Sequence, residues 1–274
     1  MSDPRTTPVN TRVAAAHLGD APAGQLRVAG QTRRVIHPFT NLMRAPDGAR
    51  DRQVLYGERL TVFEDHTGWS FVQALKDGYT GYLPTASLGD DLSPTHWISA
   101  PSTHVYTAPD IKSPDRLALS FGSQITVVST TDRFVETQAG FVPSVHVTPL
   151  GTHMTDPVTA AQLFLGTPYL WGGNSRFGID CSGLVQAGWL ACGRSCPGDS
   201  DQQEQTLGQA LLPGSPYQRG DLLFWKGHVA QVCDPKTMIH ANAFHMAVAL
   251  EPIEPAVARI AAQGDGPVTS HRRP

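Results

Sequence analysis

Thr167-Pro168-Tyr169-Leu170-Trp171-Gly172-Gly173-Asn174 runs on into Ile179-Asp180-Cys181-Ser182-Gly183-Leu184. From Cys181 the small or apolar residues fall at 181, 184, 185, 188, 189 and 192, the spacing of a helix that buries one face. Asp180 reads as its N-cap. Cys181 then sits in the first turn, at the positive end of the helix dipole, where a thiol's pKa falls below its free value of about 8.5. A thiolate is a nucleophile suited to an amide carbonyl. It needs a partner that takes a proton and later gives it to the leaving amine, and histidine titrates in the right range. Gly220-Asp221-Leu222-Leu223-Phe224-Trp225 followed by Gly227-His228-Val229-Ala230 puts His228 at the start of a strand, with Gly227 allowing close approach. A third polar group has to orient that imidazole. Met238-Ile239-His240-Ala241 offers His240, twelve residues on, where the adjacent strand returns.

Around this centre the pattern is α+β. The texture changes at 151–157, where Thr155 or Asp156 can cap a helix with Pro157 in its first turn and Val158, Ala161, Gln162 and Leu165 at helical spacing. Strands are expected at 222–225, 229–233 and 237–241, and a closing helix at 255–262. Helix, helix, then strands is an α+β order.

The preceding 150 residues contain a repeat. Pro38-Phe39-Thr40, Ala45-Pro46-Asp47, Leu60-Thr61-Val62 and Gly81-Tyr82-Leu83-Pro84 recur in order as Pro101-Ser102-Thr103, Ala108-Pro109-Asp110, Ile125-Thr126-Val127 and Gly140-Phe141-Val142-Pro143. Each copy is made of short apolar runs cut by turn signals, the sign of small β-barrels. In the first copy, runs at 59–63 and 69–75 flank a polar loop, Glu64-Asp65-His66-Thr67-Gly68. Residues 1–32 read as an arm, with a short helix at 12–16. The resulting division is an arm at 1–32, β-barrels at 33–92 and 93–150, and the α+β domain at 151–274.

Composition narrows the function classes. Twenty-one basic against 24 acidic residues give a net charge of −3, which argues against general electrostatic binding of nucleic acid. No apolar run approaches the length of a transmembrane helix, so no membrane partner is expected. Met1–Asn10 lacks the apolar core of a secretory signal. The four cysteines, Cys181, Cys192, Cys196 and Cys233, contain no CxxC pair, and disulfides are not expected. These readings point to a cytoplasmic enzyme with no cofactor. They leave its oligomeric state undetermined.

The runs Trp171-Gly172-Gly173, Asp180-Cys181-Ser182-Gly183-Leu184, Gly220-Asp221-Leu222-Leu223-Phe224, Gly227-His228-Val229 and Ile239-His240-Ala241 resemble the NlpC-type, papain-like cell-wall peptidases. The repeat resembles the bacterial SH3 domains found beside such enzymes. The fold implied is two small all-β SH3-like barrels followed by an α+β papain-like cysteine peptidase domain. By this resemblance Cys181 is the nucleophile, His228 the base and later the acid, His240 the orienting residue, and Tyr169 a helper at the oxyanion. It further implies a subgroup that trims murein-derived peptides with a free N-terminal L-Ala, cutting the γ-D-glutamyl–diamino-acid bond and releasing a dipeptide. The ammonium then needs an anion, for which Asp180 and Glu58 are the candidates. Tyr79, rather than Tyr82, is taken as free to meet substrate. Ser182 and Ser200, with Asp199 nearby, are assigned to the D-Glu carboxylate. Where the family often has Arg-Asp-Ser, this chain reads Gly198-Asp199-Ser200, which removes the usual cation. Trp171 is read equally as a substrate contact and as a wedge in the Gly-rich loop.

Two other function classes compete. Cys181, His228, His240 and Cys233 are zinc-ligand types, although no short two-ligand spacing joins them. A non-catalytic wall-binding protein would use the barrels alone and would have no need of the Cys/His/His set. Acyl-transfer relatives of this fold usually place His before Cys, the reverse of the order here.

Overall fold

The structure is a computed structural model that describes residues 3–19, 24–264 and 266–274. The chain forms two compact units, Met1–Leu150 and Gly151–Pro274.

Among the described residues of the first unit, seven strands form one sheet in the order Arg50–Leu55, Phe39–Met43, Thr80–Pro84, Trp69–Ala74, Arg59–His66, Gln31–Val35, Leu88–Asp90. The second set of strands follows the same order. Asp115–Ser120, Ser102–Tyr106, Gly140–Pro143, Phe134–Thr137 and Val127–Thr130 make one sheet, and Gln124–Ile125, His96–Ile98 and Val147–Pro149 make another. The long strand of the first copy, Arg59–His66, is thus divided in two in the second. A 3-10 turn precedes the last strand in each, at Thr85–Ser87 and Ser144–His146. The two cores are Val35, Leu42, Leu60, Val72 and Leu83 with their neighbours, and Ile98, Val105, Leu119, Val135 and Val142 with theirs.

Three expectations for this unit change. The polar run 64–68 is not a loop: the strand continues to His66, and the chain reverses at Thr67 and Gly68, both with positive φ, the two-residue hairpin geometry. Glu64 is tolerated in the strand because Asn10 and Arg12 donate to its carboxylate. The segment 12–16 is not helical. Val13–Ala15 is a strand parallel to Leu26–Val28, and Val13 and Ala15 are buried with Phe63 and Phe71. The arm therefore completes the first barrel, whose sheet begins at Gln31. Truncating Val13 to Ser should cost this unit about 1.5–3 kcal/mol, the value of one buried Val side chain, read as a lower urea midpoint. An unchanged midpoint would show that the arm does not support the barrel. Third, the tyrosines exchange roles. Strand side chains alternate, so Tyr79 is in phase with Gly81 and Leu83 and lies in the core at 4% exposure, while Tyr82 is half-buried against Phe71. The Lys76–Gly78 turn folds Tyr79 inward: Asp77 Oδ1 accepts from the Tyr79 backbone N–H, and the Tyr79 carbonyl accepts from Ala74.

The second unit has a six-stranded sheet among its described residues, in the order Gln209–Ala210, Ser270–Arg273, Leu222–Trp225, His228–Asp234, Thr237–Asn242, Ala247–Pro252. Leu222 and Phe224 face the helix Cys181–Ala191 together with Val185 and Trp189. Leu223 and Trp225 face the other way, onto Ile253, Ala256 and Ile260 of the helix Ile253–Ala262. Cover on both faces explains the unbroken apolar run 222–225. Asp156, rather than Thr155, caps the helix Pro157–Gln162, accepting from Val158 and Thr159. The closing helix starts at Ile253, and the strands Ala247–Pro252 and Ser270–Arg273 and the helix Ser200–Thr206 join the expected elements.

Candidate active site

Asp180 ties the Gly-rich loop to the nucleophile helix. Its Oδ1 accepts from the Gly183 N–H at 2.6 Å and from Ser182 Oγ at 3.0 Å, and its Oδ2 accepts from the Gly172 N–H at 2.9 Å. The glycines here are set by close approach. A Cβ at Gly183 would lie 2.6 Å from the Gly173 carbonyl oxygen, and one at Gly173 would lie 2.5 Å from that of Gly178. Gln203 supports the same turn from below, donating to the Ser182 and Pro197 carbonyls at 2.9 and 3.0 Å. Cys181 is thereby held in the first helical turn, and its Sγ lies 4.0 Å from the carbonyl of Gly227, the residue before His228.

His228 starts the strand that runs under this helix. Its Nε2 is 2.9 Å from His240 Nδ1, and His240 Nε2 is 2.7 Å from Glu251 Oε2. The hydrogen-bond chain fixes the tautomers. A carboxylate can only accept, so His240 Nε2 carries the proton and Nδ1 is an acceptor. His228 Nε2 must then be the donor, which leaves its Nδ1 with the lone pair. Burial and the neighbouring His240 push the His228 pKa down to about 3, so the imidazole is neutral at rest. Burial likewise pushes His240 down. Burial would raise the carboxyl of Glu251, but the hydrogen bonds from His240 and Arg259 outweigh it and bring it down to about 2. Glu251 is therefore ionised.

The structure thus gathers Cys181, His228 and His240 around one helix N-terminus and two adjacent strands. Tyr169 joins them: its hydroxyl pKa is raised by burial and by Cys181 and Asp180, so it remains a neutral donor. Its backbone N–H donates to the carbonyl of Met246. Trp171 is 66% exposed. Ser200 is buried at the first turn of its helix, and Asp199 is the N-cap residue without a side-chain cap bond. Ser182 is not placed as expected: its one hydroxyl proton goes to Asp180, so it does not donate to a substrate carboxylate while that bond stands. Tyr79 lies in the core of its own barrel, as described. Glu58 is buried, not solvated. Lys76 Nζ donates to its Oε1 at 2.8 Å, Oε2 has no hydrogen-bond partner, and burial raises its carboxyl despite Lys76.

The sequence reading missed Glu251 and Arg259. Arg259 Nη2 donates to Glu251 Oε2 at 2.6 Å. The available signal was strand alternation: His240 pairs with Ala249 and Met238 with Glu251, so Glu251 is the diagonal neighbour of His240. His245, given no role, lies 3.9 Å from the same carboxylate. Among the described residues no three His, Cys, Asp or Glu side chains converge in a way that could hold a metal ion.

These shifts set a direction for acid stability. The unfolded chain binds protons that the folded site refuses: the two imidazoles below their ordinary 6.5, and Glu251 below 4.5. Folding stability is therefore complete above about pH 6.5 and falls continuously as the pH drops toward 2. The denaturant midpoint of the second unit should be clearly lower at pH 4.5 than at pH 7.5. Equal midpoints would contradict neutral burial of the histidine pair.

This combination of fold and site is that of a known class. Residues 166–258 match the NlpC/P60 family, and residues 42–88 match the SH3 domain of bacterial dipeptidyl-peptidases. The chain thus carries an NlpC/P60 domain and an SH3 domain of that type. Among its relatives, a γ-D-glutamyl-L-lysine dipeptidyl-peptidase of Bacillus subtilis is 31% identical over 198 residues, 65% of each chain. The match thus spans just under two thirds of that relative's length. An enzyme of the same description from Bacillus cereus is 27% identical over 238 residues, covering 74% of this chain and 70% of its own. A crystal structure of an NlpC/P60 family protein from Bacillus cereus superposes with a TM-score of 0.74 at 22% identity, over 89% of this chain and 99% of that one, and supports the fold. Among the described residues no helix is long and apolar enough to cross a membrane.

Proposed function

We propose that this protein is a cysteine peptidase that hydrolyses the γ-D-glutamyl–diamino-acid bond of murein-derived peptides with a free N-terminal L-Ala. It would release L-Ala-D-Glu. The observation that carries the chemistry is the His228–His240 pair beside Cys181, with the lone pair of His228 left at Nδ1. The names of the relatives carry the substrate class.

In the proposed reaction His228 Nδ1 takes the proton of the Cys181 thiol as sulfur attacks the γ-carbonyl. A C–S bond forms, and the carbonyl π pair moves onto oxygen. Tyr169 and the N–H groups at the helix head are the available donors for that oxyanion. The intermediate collapses, the C–N bond breaks, and His228 returns the proton to the leaving amine. Water then attacks the thioester and gives a proton to His228, the C–S bond breaks to free the carboxylic acid, and the departing thiolate takes the proton back from His228. Asp180 and Glu58 are the anions proposed for the substrate ammonium. For Glu58 the support is a buried carboxylate with one oxygen unpartnered. Ser200 and Asp199 stay assigned to the D-Glu end, and Trp171 to the rim.

The second set of strands, 93–150, is proposed as a further SH3-like barrel, since it repeats the strand order of the first. A cytoplasmic role in murein recycling is supported by four cysteines that are all thiols. Zinc hydrolysis has no converging ligand set among the described residues to support it. Non-catalytic wall binding leaves the Cys/His/His/Glu line without a purpose.

The test is mass spectrometry of products from defined tri- and tetrapeptides with free and acetylated N-termini. The expected product is the dipeptide, from free-amine substrates, with Glu58→Gln raising KM for those substrates only. Equal cleavage of acetylated peptides would overturn the exopeptidase reading. Retention on peptidoglycan without hydrolysis would favour the binding module.

A further inference from the structure

The line of hydrogen bonds does not end at the third residue. Glu251 Oε2 receives both His240 Nε2 at 2.7 Å and Arg259 Nη2 at 2.6 Å, and Arg259 Nε reaches Oε1 at 3.3 Å. Arg259 is itself fixed. Its Nη1 donates to Gln263 Oε1 at 2.8 Å, and its guanidinium lies over the Phe244 ring, 4.2 Å from the centroid. Glu251 is the penultimate residue of the strand Ala247–Pro252, and Arg259 stands nearly two turns into the helix Ile253–Ala262 that follows it. The strand-to-helix junction thus brings a carboxylate and a guanidinium behind a histidine that is 1% exposed.

We propose that Glu251 and Arg259 act as an opposed pair of positioning residues that sets which nitrogen of His228 is basic and over what pH range it stays so. This rests on the reading of His228 as the proton acceptor for Cys181. The two charges have opposite effects. Glu251 holds the proton on His240 Nε2, so that His240 Nδ1 accepts from His228. It also supplies the negative charge that the His228 imidazolium needs once it has taken the thiol proton. Arg259 limits that pull. Without it, Glu251 would draw a second proton onto His240 as the pH falls. His240 Nδ1 would then become a donor, His228 would have to move its own proton to Nδ1, and the base would be lost. The titratable and charged groups on or facing this line are Cys181 from the helix head, His228, His240, Glu251, Arg259 and His245. His245 Nδ1 is engaged with Asn242 Oδ1 at 3.1 Å, so Arg259 is the cation in direct contact with the carboxylate.

The experiment compares Glu251→Gln and Arg259→Gln with the unaltered protein, using Arg259→Lys as the conservative variant. Two quantities are measured against pH. One is kcat/KM on a peptide that the unaltered enzyme cleaves. The other is the rate at which iodoacetamide modifies Cys181, scored by peptide mapping to separate it from Cys192. Alkylation needs no substrate, so it reports on the pair even if the proposed peptide is not cleaved. Failure of the peptide assay alone would count against the substrate, not against the pair. Glu251→Gln is expected to lower kcat roughly 100-fold, the low end for loss of general-base assistance, with KM little changed and the acid limb of both profiles moved to lower pH. Arg259→Gln is expected to move the acid limb to higher pH, and Arg259→Lys to restore most of the position. A merely structural role would shift melting temperature and leave both limbs in place. Limbs that stay fixed, or move the same way in both glutamine variants, overturn the proposal. If Glu251→Gln does not fold, the opposite shift in Arg259→Gln with recovery in Arg259→Lys still decides it.

Discussion

Cys181→Ala is expected to abolish turnover, by about 10⁴-fold or more, while the protein keeps its fold. Losses of this size follow removal of a nucleophile that works as a unit with its base, because the remaining donors can bind the carbonyl but cannot form the acyl intermediate. The structural change is small. The side chain is almost fully buried within a cluster of Val185, Trp189, Leu222 and Val229, and Ala keeps the helix start with Asp180 and Gly183 intact. Stability should move by about 1 kcal/mol or less, within the ordinary range for a mild core change. Cys181→Ser is the stricter control, since it keeps a donor of similar size whose hydroxyl is far less acidic. Turnover that survives in Cys181→Ala would remove the mechanism proposed above, and the SH3 domain and the sheet of the second unit would stand without it.

The second large effect is on stability and comes from a residue outside the chemistry. Asp221 is 1% exposed, yet it carries a charge. Its Oδ1 accepts from Arg273 Nε at 2.8 Å. Its Oδ2 accepts from Arg273 Nη2 at 2.8 Å, from His271 Nε2 at 2.7 Å and from the Gln218 N–H at 2.9 Å. Burial opposes ionisation, but these bonds hold its carboxyl below the usual range. Two of its partners lie on Ser270–Arg273, which is hydrogen-bonded directly to Leu222–Trp225. Asp221→Ala should lower the stability of the second unit by about 1.5–3 kcal/mol, the range for hydrogen bonds to a charged group, since Arg273 is a third exposed and is hydrated when its partner is removed. Thermal melting and proteolysis of the last strand report it. A loss below 1 kcal/mol would mean that the strand is held by its backbone bonds alone.

Much of the site could be read from the chain because its signals are local. A cap, a cysteine and helical spacing place Cys181, and a glycine before a histidine at a strand start places His228. Glu251 and Arg259 were not legible. A carboxylate at a strand end and an arginine on a helix look like surface residues until register brings both behind His240. Asp221 was legible as part of a motif but not as a clamp, because its partners arrive about fifty residues later. The tyrosine pair shows a different limit. Matching the two repeats aligned Tyr82 with Phe141 correctly, and both are half-buried. Which of the two tyrosines faces inward, however, follows from alternation along 79–83 and not from the alignment.

The late position of Ser270–Arg273 also bears on biosynthesis. The thiol, both imidazoles and the strands that carry them are synthesised before Ser270–Arg273, which inserts between Gln209–Ala210 and Leu222–Trp225. The central strand Leu222–Trp225 thus gains its second neighbour only after that segment has been made, and the sheet is assembled out of the order in which its strands are synthesised.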